Sequence, residues 1–192
     1  MTDFILASRS PRRVAFLREL GYRFQALPAD LPEQPAAGET APAYAARIAL
    51  AKARALAAEG RVVLGADTDV VLEGRILGKP ADAEAAFDML MALSGRRHQV
   101  ISALALVAGE RLWQAQTCTE IEFAVLEPAA VRAYCASGEP LDKAGAYAIQ
   151  GRAAAWVRRV CGSYTGVIGL PLVETVELLT AAGIQPRPEA DG

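Results

Sequence analysis

A chain of 192 residues with 53% hydrophobic and 22% charged residues has the composition of a globular protein with a proper core, which excludes a disordered chain. A net charge of −2 leaves no general basic footprint, so nucleic acid is not expected as the principal partner. Three scattered cysteines (Cys118, Cys135, Cys161) and one histidine, His98, cannot assemble a local Cys/His zinc site, and suit ordinary buried or half-buried thiols in a reducing compartment.

The apolar runs are too short to span a bilayer, and the first seven residues carry an acid and no basic region. A cytoplasmic chain with no membrane partner is expected. Phe4-Ile5-Leu6-Ala7 reads as a strand that stops at Ser8. Ser10 suits an N-cap, Pro11 the first helical position, and Gly21 the C′ position of a helix whose apolar spacing runs Val14, Leu17, Leu20. Its first turn offers free backbone N–H groups, two serine hydroxyls, Arg12 and Arg13. Helix N-termini bind anions, and arginine adds bidentate bonds to phosphate. A capped helix with solvated arginines is the competing reading, and the two weigh evenly.

Residues 22–27 alternate as a strand, and residues 28–38 form a proline-rich loop carrying Glu33. Thr40 then caps an alanine-rich helix to about residue 58, with Tyr44, Ile48, Ala51 and Ala55 as its buried stripe. Lys52 lies on the flank of that stripe, where it snorkels into water or reaches a phosphate. Residues 61–64 read as a short buried strand that delivers Gly65-Ala66-Asp67-Thr68 at its carboxyl end, and Lys79 returns one hairpin later. A strand-end carboxylate with a nearby lysine suits metal-assisted attack on a phosphate, although a strand-end Asp is more often a turn former or helix cap.

Asp82 opens the next helix, to residue 93. A strand over 98–107 follows, with an antiparallel partner over 112–118 and a further strand over 121–126. His98 lacks a carboxylate or cysteine partner and reads as structural rather than as a general base. Pro128 starts a helix through Cys135. Residues 138–151 then form a structured loop of the length that tends to carry function, and its Gln150 can donate and accept at once, which suits reading a base edge. A final helix covers 173–182. One domain over 1–185 and a loose tail over 186–192 are expected.

Several segments taken together resemble one family. Leu6-Ala7-Ser8-Arg9-Ser10-Pro11-Arg12-Arg13, Gly65-Ala66-Asp67-Thr68, Gly78-Lys79-Pro80, Ser94-Gly95-Arg96-Arg97-His98, and the run from Asp142-Lys143-Ala144-Gly145 through Ala146-Tyr147-Ala148-Ile149-Gln150-Gly151 occur in order. With Gly162-Ser163-Tyr164 and Val167-Ile168-Gly169-Leu170-Pro171, the chain resembles the Maf family of nucleoside triphosphate pyrophosphatases, first named for an association with septum formation. The resemblance covers nearly the whole chain. It implies an α/β fold in which a mixed twisted sheet is flanked by helices, with two lobes and a deep cleft, similar in architecture to the inosine triphosphate pyrophosphatases.

The implied reaction is hydrolysis of a nucleoside triphosphate to the monophosphate and pyrophosphate, with a divalent cation (Mg²⁺ or Mn²⁺). Asp67 is the implied proton acceptor. Arg12, Thr68 and Gln150 match the specificity positions, and as a set they resemble the subfamily acting on dTTP and UTP rather than the one favouring 7-methyl-GTP. Arg13, Lys52 and Lys79 match positions that hold the triphosphate, Ser8 is a further substrate-binding residue, and Glu33 matches a second carboxylate that would share the metal with Asp67. A homodimer is implied. A 7-methyl-GTP-type activity, a broad house-cleaning activity on modified pyrimidine nucleotides, or a non-catalytic nucleotide-binding role in cell division is the alternative. Asp69 departs from the pattern, standing where an apolar residue is usual. Alternation points it away from Thr68, and an exposed acid, or one just behind the site, is expected.

The chemistry sets its own demands. Splitting the α–β phosphoanhydride needs an in-line water, neutralisation of the triphosphate and a stabilised pyrophosphate leaving group. A free aspartate, with pKa about 3.9, is a poor base at neutral pH, so Asp67 suits work beside a divalent cation or beside a second acid such as Glu33.

Overall fold

The four residues Phe4-Ile5-Leu6-Ala7 are all buried, as befits a parallel strand covered on both faces. They form β1 (Phe4–Ala7) in a computed structural model that describes residues 2–58 and 60–187. The described residues form a mixed seven-stranded sheet with helices, the α/β class expected. The other strands are β2 (Phe24–Leu27), β3 (Val62–Leu72), β4 (Arg75–Leu77), β5 (Arg97–Ala108), β6 (Arg111–Phe123) and β7 (Val157–Cys161). Their hydrogen-bonded order is β2-β1-β3-β5-β6-β7, with β4 paired to β3. The chain divides into two compact units, one of Met1–Asp67, Ser102–Gln116 and Gly169–Gly192, the other of Thr68–Ile101 and Thr117–Ile168.

In the first unit β1 pairs in parallel with β2 (Phe4 opposite Phe24) and with β3 (Ile5 opposite Val63, Leu6 opposite Leu64). Its helices are α1 (Pro11–Glu19), α2 (Ala41–Ala55) and α6 (Leu172–Ala181). Phe4, Leu6, Leu17, Leu64, Leu104, Leu170 and Leu179 meet in one core, to which β1, α1, β3, β5 and α6 all contribute. Burial of this kind stabilises by roughly 25 cal/mol per Å² of apolar surface removed from water. The expected tail begins at Pro186. Arg187 is held, its N–H donating to the Gly21 carbonyl and its guanidinium to Asp3, and residues 188–192 lie outside the described residues.

The second unit contains α3 (Ala83–Leu93), α4 (Pro128–Cys135) and α5 (Tyr164–Ile168), with β4 and β7. Asp82 caps α3 by accepting from the Ala85 N–H at 2.8 Å. Glu73 and Gly74, both at positive φ, turn β3 into β4, the pattern of a tight hairpin turn that favours glycine. His98, Phe123 and Tyr147 pack edge to face as a three-ring cluster with centroids 4.9 to 5.5 Å apart.

Three expectations need correction. The strand bearing Asp67 does not end at Leu64 but runs eleven residues, from Val62 to Leu72. Gly65 reads as punctuation but serves close packing. A Cβ there would lie 2.1 Å from the Ala49 carbonyl oxygen and 2.8 Å from the Ala53 nitrogen, so glycine lets the α2 backbone sit against the strand. The two strands expected over 112–126 are one, β6, because the alternation of a more and a less buried face persists through Thr119-Glu120, deepening there to buried and half-buried. Cys118 and Cys161 are exposed and only Cys135 is buried, where burial pushes its thiol pKa up. No helix of the described residues is long and apolar enough to cross a membrane.

Candidate active site

Asp67 lies within β3, three positions beyond Leu64, where the register with β1 ends. The neighbouring strand has by then given way to the Ser8-Arg9-Ser10 turn, so in its local setting the carboxylate does stand past the end of a parallel pair. It is only 6% exposed. Its Oδ1 accepts from Lys52 Nζ at 2.7 Å, and the same ammonium lies 2.8 Å from Glu33 Oε1. Lys52 is 8% exposed and sits within the buried stripe of α2 (Ala41, Tyr44, Ala45, Ile48, Ala49, Lys52, Ala53) rather than on its flank. Ala51 is half-buried and Ala55 exposed. Alanines carry almost no phase information, and an inward lysine is tolerated here because two carboxylates answer its charge. Gly65 completes the arrangement by bringing α2 within reach of β3.

Glu33 belongs to the proline-rich loop before α2 and is more exposed than its partners. That loop is clasped at its far end by Glu39. Its carboxylate accepts from Arg47 Nε and Nη2, each at 2.7 Å, and from the Ala36 N–H at 2.9 Å, while Arg47 also reaches the Gln34 carbonyl. The Arg47 hydrogen bonds, followed by the Ala36 N–H, hold the Glu39 carboxyl down at about 2. Thr40 caps α2 as expected, accepting from the Ala43 N–H at 3.4 Å.

At the start of α1 the cap differs from expectation. Ser10 holds the N-cap position with an extended backbone, but its side chain makes no capping bond. Its N–H instead donates to Ser8 Oγ at 3.1 Å. Arg13 is 9% exposed and donates from Nη1 to Ser8 Oγ at 3.2 Å and to the Ala66 carbonyl at 2.9 Å, and from Nε to the Gly169 carbonyl at 2.7 Å. It ties three motif segments together. Arg12 is half-buried in the first turn of the same helix, and Arg9, exposed, pairs with Asp30.

The structure therefore brings Ser8, Arg13, Glu33, Lys52 and Asp67 together in the first unit. Thr68, Lys79 and Gln150 belong to the second. There, Lys79 and Gln150 are exposed at the ends of turns that are linked to one another: the Gly145 N–H donates to the Gly78 carbonyl at 3.1 Å. The long loop is braced throughout, with two 3-10 turns, Glu139–Asp142 and Ala144–Ala146. Gly145 is at φ 66°, where a Cβ would fall 2.7 Å from Val70 Cγ1. Ala146, a non-glycine, is held at φ 60°, a conformation that persists only where surroundings enforce it. Glu139 accepts from the Tyr134 hydroxyl at 3.2 Å, and Lys143 donates to the Glu139 carbonyl at 2.7 Å. Tyr147 anchors the approach to Gln150 through a 2.8 Å hydrogen bond with His98 Nε2. His98 is structural, as expected, and burial takes its pKa down to about 4.

Asp69 is buried, which rules out the exposed reading, and alternation along β3 places it on the same strand face as Asp67. Sequence reasoning missed the part of Gly169 and Ala66, whose contribution is a carbonyl rather than a side chain. The Val167-to-Pro171 motif was the available signal.

Comparison with known proteins places the chain. A "dTTP/UTP pyrophosphatase" of Xanthomonas euvesicatoria is 51% identical over 185 residues, covering 93% of this chain and 97% of that protein. Proteins of the same name from Cereibacter sphaeroides (51% over 182 residues, 94% and 95%) and Yersinia pestis (49% over 183 residues, 94% and 93%) are similarly close. A solved HAM1 protein from Coxiella burnetii is 21% identical with a TM-score of 0.45, over 65% of this chain and 74% of that one. The model of the Maf family, described as "Maf-like protein", matches residues 3–182, and the chain belongs to that family.

Proposed function

We propose that this protein hydrolyses dTTP and UTP to the nucleoside monophosphate and pyrophosphate, with Asp67 accepting the proton of the attacking water. The observation that carries the reading is the buried Asp67–Lys52 pair with Glu33 on the same ammonium. A carboxylate held in one orientation by a buried cation is a preorganised acceptor, and its position beside the anion-binding start of α1 suits a phosphorus centre. Relatives about half identical over nearly their whole length, each named for dTTP and UTP, support the substrate class.

Lys52 and Lys79, together with Ser8 and Arg13, are assigned to the triphosphate, and Arg12, Thr68 and Gln150 to recognition of the base. Gln150 on its braced loop presents both a donor and an acceptor, which is what a pyrimidine edge requires.

The residues fit a divalent cation. No group of three or more His, Cys, Asp or Glu suited to a metal occurs among the described residues, but Mg²⁺ needs only one or two protein carboxylates alongside substrate phosphates. Asp67 and Glu33, hard oxygen donors converging on one ammonium, would hold it. When bound, Mg²⁺ or Mn²⁺ supplies charge against the triphosphate and acidifies water. The same reading takes the protein to be a cytoplasmic homodimer whose substrate is its nucleotide, with neither nucleic acid nor membrane as a partner.

The test is pyrophosphate release by the purified protein from a panel of natural and base-modified nucleoside triphosphates, with Mg²⁺ or Mn²⁺. dTTP and UTP are expected to head the panel. No release from any member would leave a binding protein in place of an enzyme, and a modified pyrimidine far ahead of both would replace the substrate.

A further inference from the structure

We infer that Arg13 is a positioning residue that makes the Ser8 hydroxyl a dedicated hydrogen-bond donor for a polyphosphate oxygen. The inference rests on the triphosphate reading above, and it takes Arg13 out of direct contact with substrate.

A serine hydroxyl has two lone pairs and one proton. At Ser8 the oxygen accepts twice, from Arg13 Nη1 at 3.2 Å and from the Ser10 N–H at 3.1 Å. With both lone pairs taken, the hydroxyl has only its proton left to offer. An ordinary serine rotates between donating and accepting, whereas this one is committed before a ligand arrives. Phosphate oxygens only accept, so the commitment has the right sense for a polyphosphate, at the end of a helix that already favours anions. Neither donor is free to drift. Arg13 is itself fixed by the Gly169 carbonyl at 2.7 Å and the Ala66 carbonyl at 2.9 Å, and the Ser10 N–H belongs to the backbone that opens α1. The arginine fork is needed for this. One guanidinium spans the Ser8 hydroxyl, the carbonyl before Asp67 and the Gly169 carbonyl, whereas a lysine ammonium carries the same charge on a single point.

The experiment is a double-mutant cycle. Dissociation constants for inorganic tripolyphosphate are measured by calorimetry for the wild type, Ser8→Ala, Arg13→Lys and the double variant, with kcat/KM for UTP on the same four proteins. Ser8→Ala is expected to weaken tripolyphosphate about ten-fold, the scale of one hydrogen bond to a charged group. Arg13→Lys is expected to cost a similar factor, and the double variant to bind no more weakly than the weaker single one. Multiplying effects, or an Arg13→Lys protein that binds as the wild type does, overturns the proposal, because Lys keeps the charge a direct contact would use.

Should Arg13→Lys fail to fold, Ser10→Pro serves instead. Ser10 already has φ −61°, a proline value, and its side chain makes no capping bond. It removes the other donor to Ser8, and is expected to weaken tripolyphosphate binding in the Ser8 background and not in the Ser8→Ala background. Equal weakening in both sinks the idea. A wild type inert toward UTP and dTTP but showing the coupled cycle would reject the activity and keep this role. An active wild type with an additive cycle would do the reverse.

Discussion

Replacing His98 by glutamine tests the packing of the second unit through pH. The imidazole is buried against Phe123 and Tyr147, its Nε2 shares a hydrogen bond with the Tyr147 hydroxyl, and its Nδ1 is buried with no hydrogen-bond partner among the described residues. Adding a proton there creates a charge with a second N–H left unmet, which is why burial lowers the pKa from 6.5 to about 4. Between those values the unfolded chain binds the proton and the folded one refuses it, so stability is full above 6.5 and lost as pH falls toward 4. Linkage gives a loss of about 1 kcal/mol at pH 5.5 and roughly 2 to 3 kcal/mol at pH 4.5. His98→Gln cannot titrate, and every carboxylate is common to both proteins. Urea unfolding of the two at pH 7.5, 5.5 and 4.5 should therefore show the difference in their stabilities shifting against the wild type by those amounts. His98 is the only histidine, so one imidazole resonance reports its titration directly. A midpoint near 6.5, or a stability difference that does not move with pH, refutes the reasoning.

Asp67→Asn should leave the circular dichroism spectrum unchanged and lower turnover by about 100-fold or more, the scale of a lost acid–base group; near-normal pyrophosphate release would remove Asp67 from its role. Thr68→Ala with Gln150→Ala should change the ratio of kcat/KM between pyrimidine and purine triphosphates, and an unchanged ratio would withdraw both from base recognition. Gly65→Ala should cost about 3 kcal/mol, because the new Cβ meets backbone atoms of α2 that cannot step aside. A denaturation midpoint within error of wild type would show that the strand and helix can part without loss.

Much of this was legible in the chain. Proline at the first helical position marked the start of α1, and capping threonine and aspartate those of α2 and α3, because such chemistry is local. Asp67 stood out for the same reason, as an acid in an apolar run. Lys52 was misplaced on its helix because its burial is decided by Asp67 and Glu33, and a pattern of apolar spacing has no access to such partners. The length of β3 was missed because Gly65 ordinarily punctuates a strand, whereas here it answers to the backbone of α2. The absence of a Ser10 side-chain cap was not legible either, nor was the role of Ser8 as acceptor for the Ser10 N–H and for Arg13, whose own anchors stand at positions 66 and 169.

The first unit draws on both ends of the chain, and this governs how it can be made. Leu170, Leu178 and Leu179 complete the cluster begun by Phe4, Leu6 and Leu17. During synthesis from the N-terminus, those early side chains can meet Tyr22, Leu64, Leu104 and Leu106 first, but their cover is incomplete until α6 has left the ribosome. A message broken before α6 would yield fragments with that side of the cluster bare, substrates for chaperones and proteases rather than smaller working enzymes.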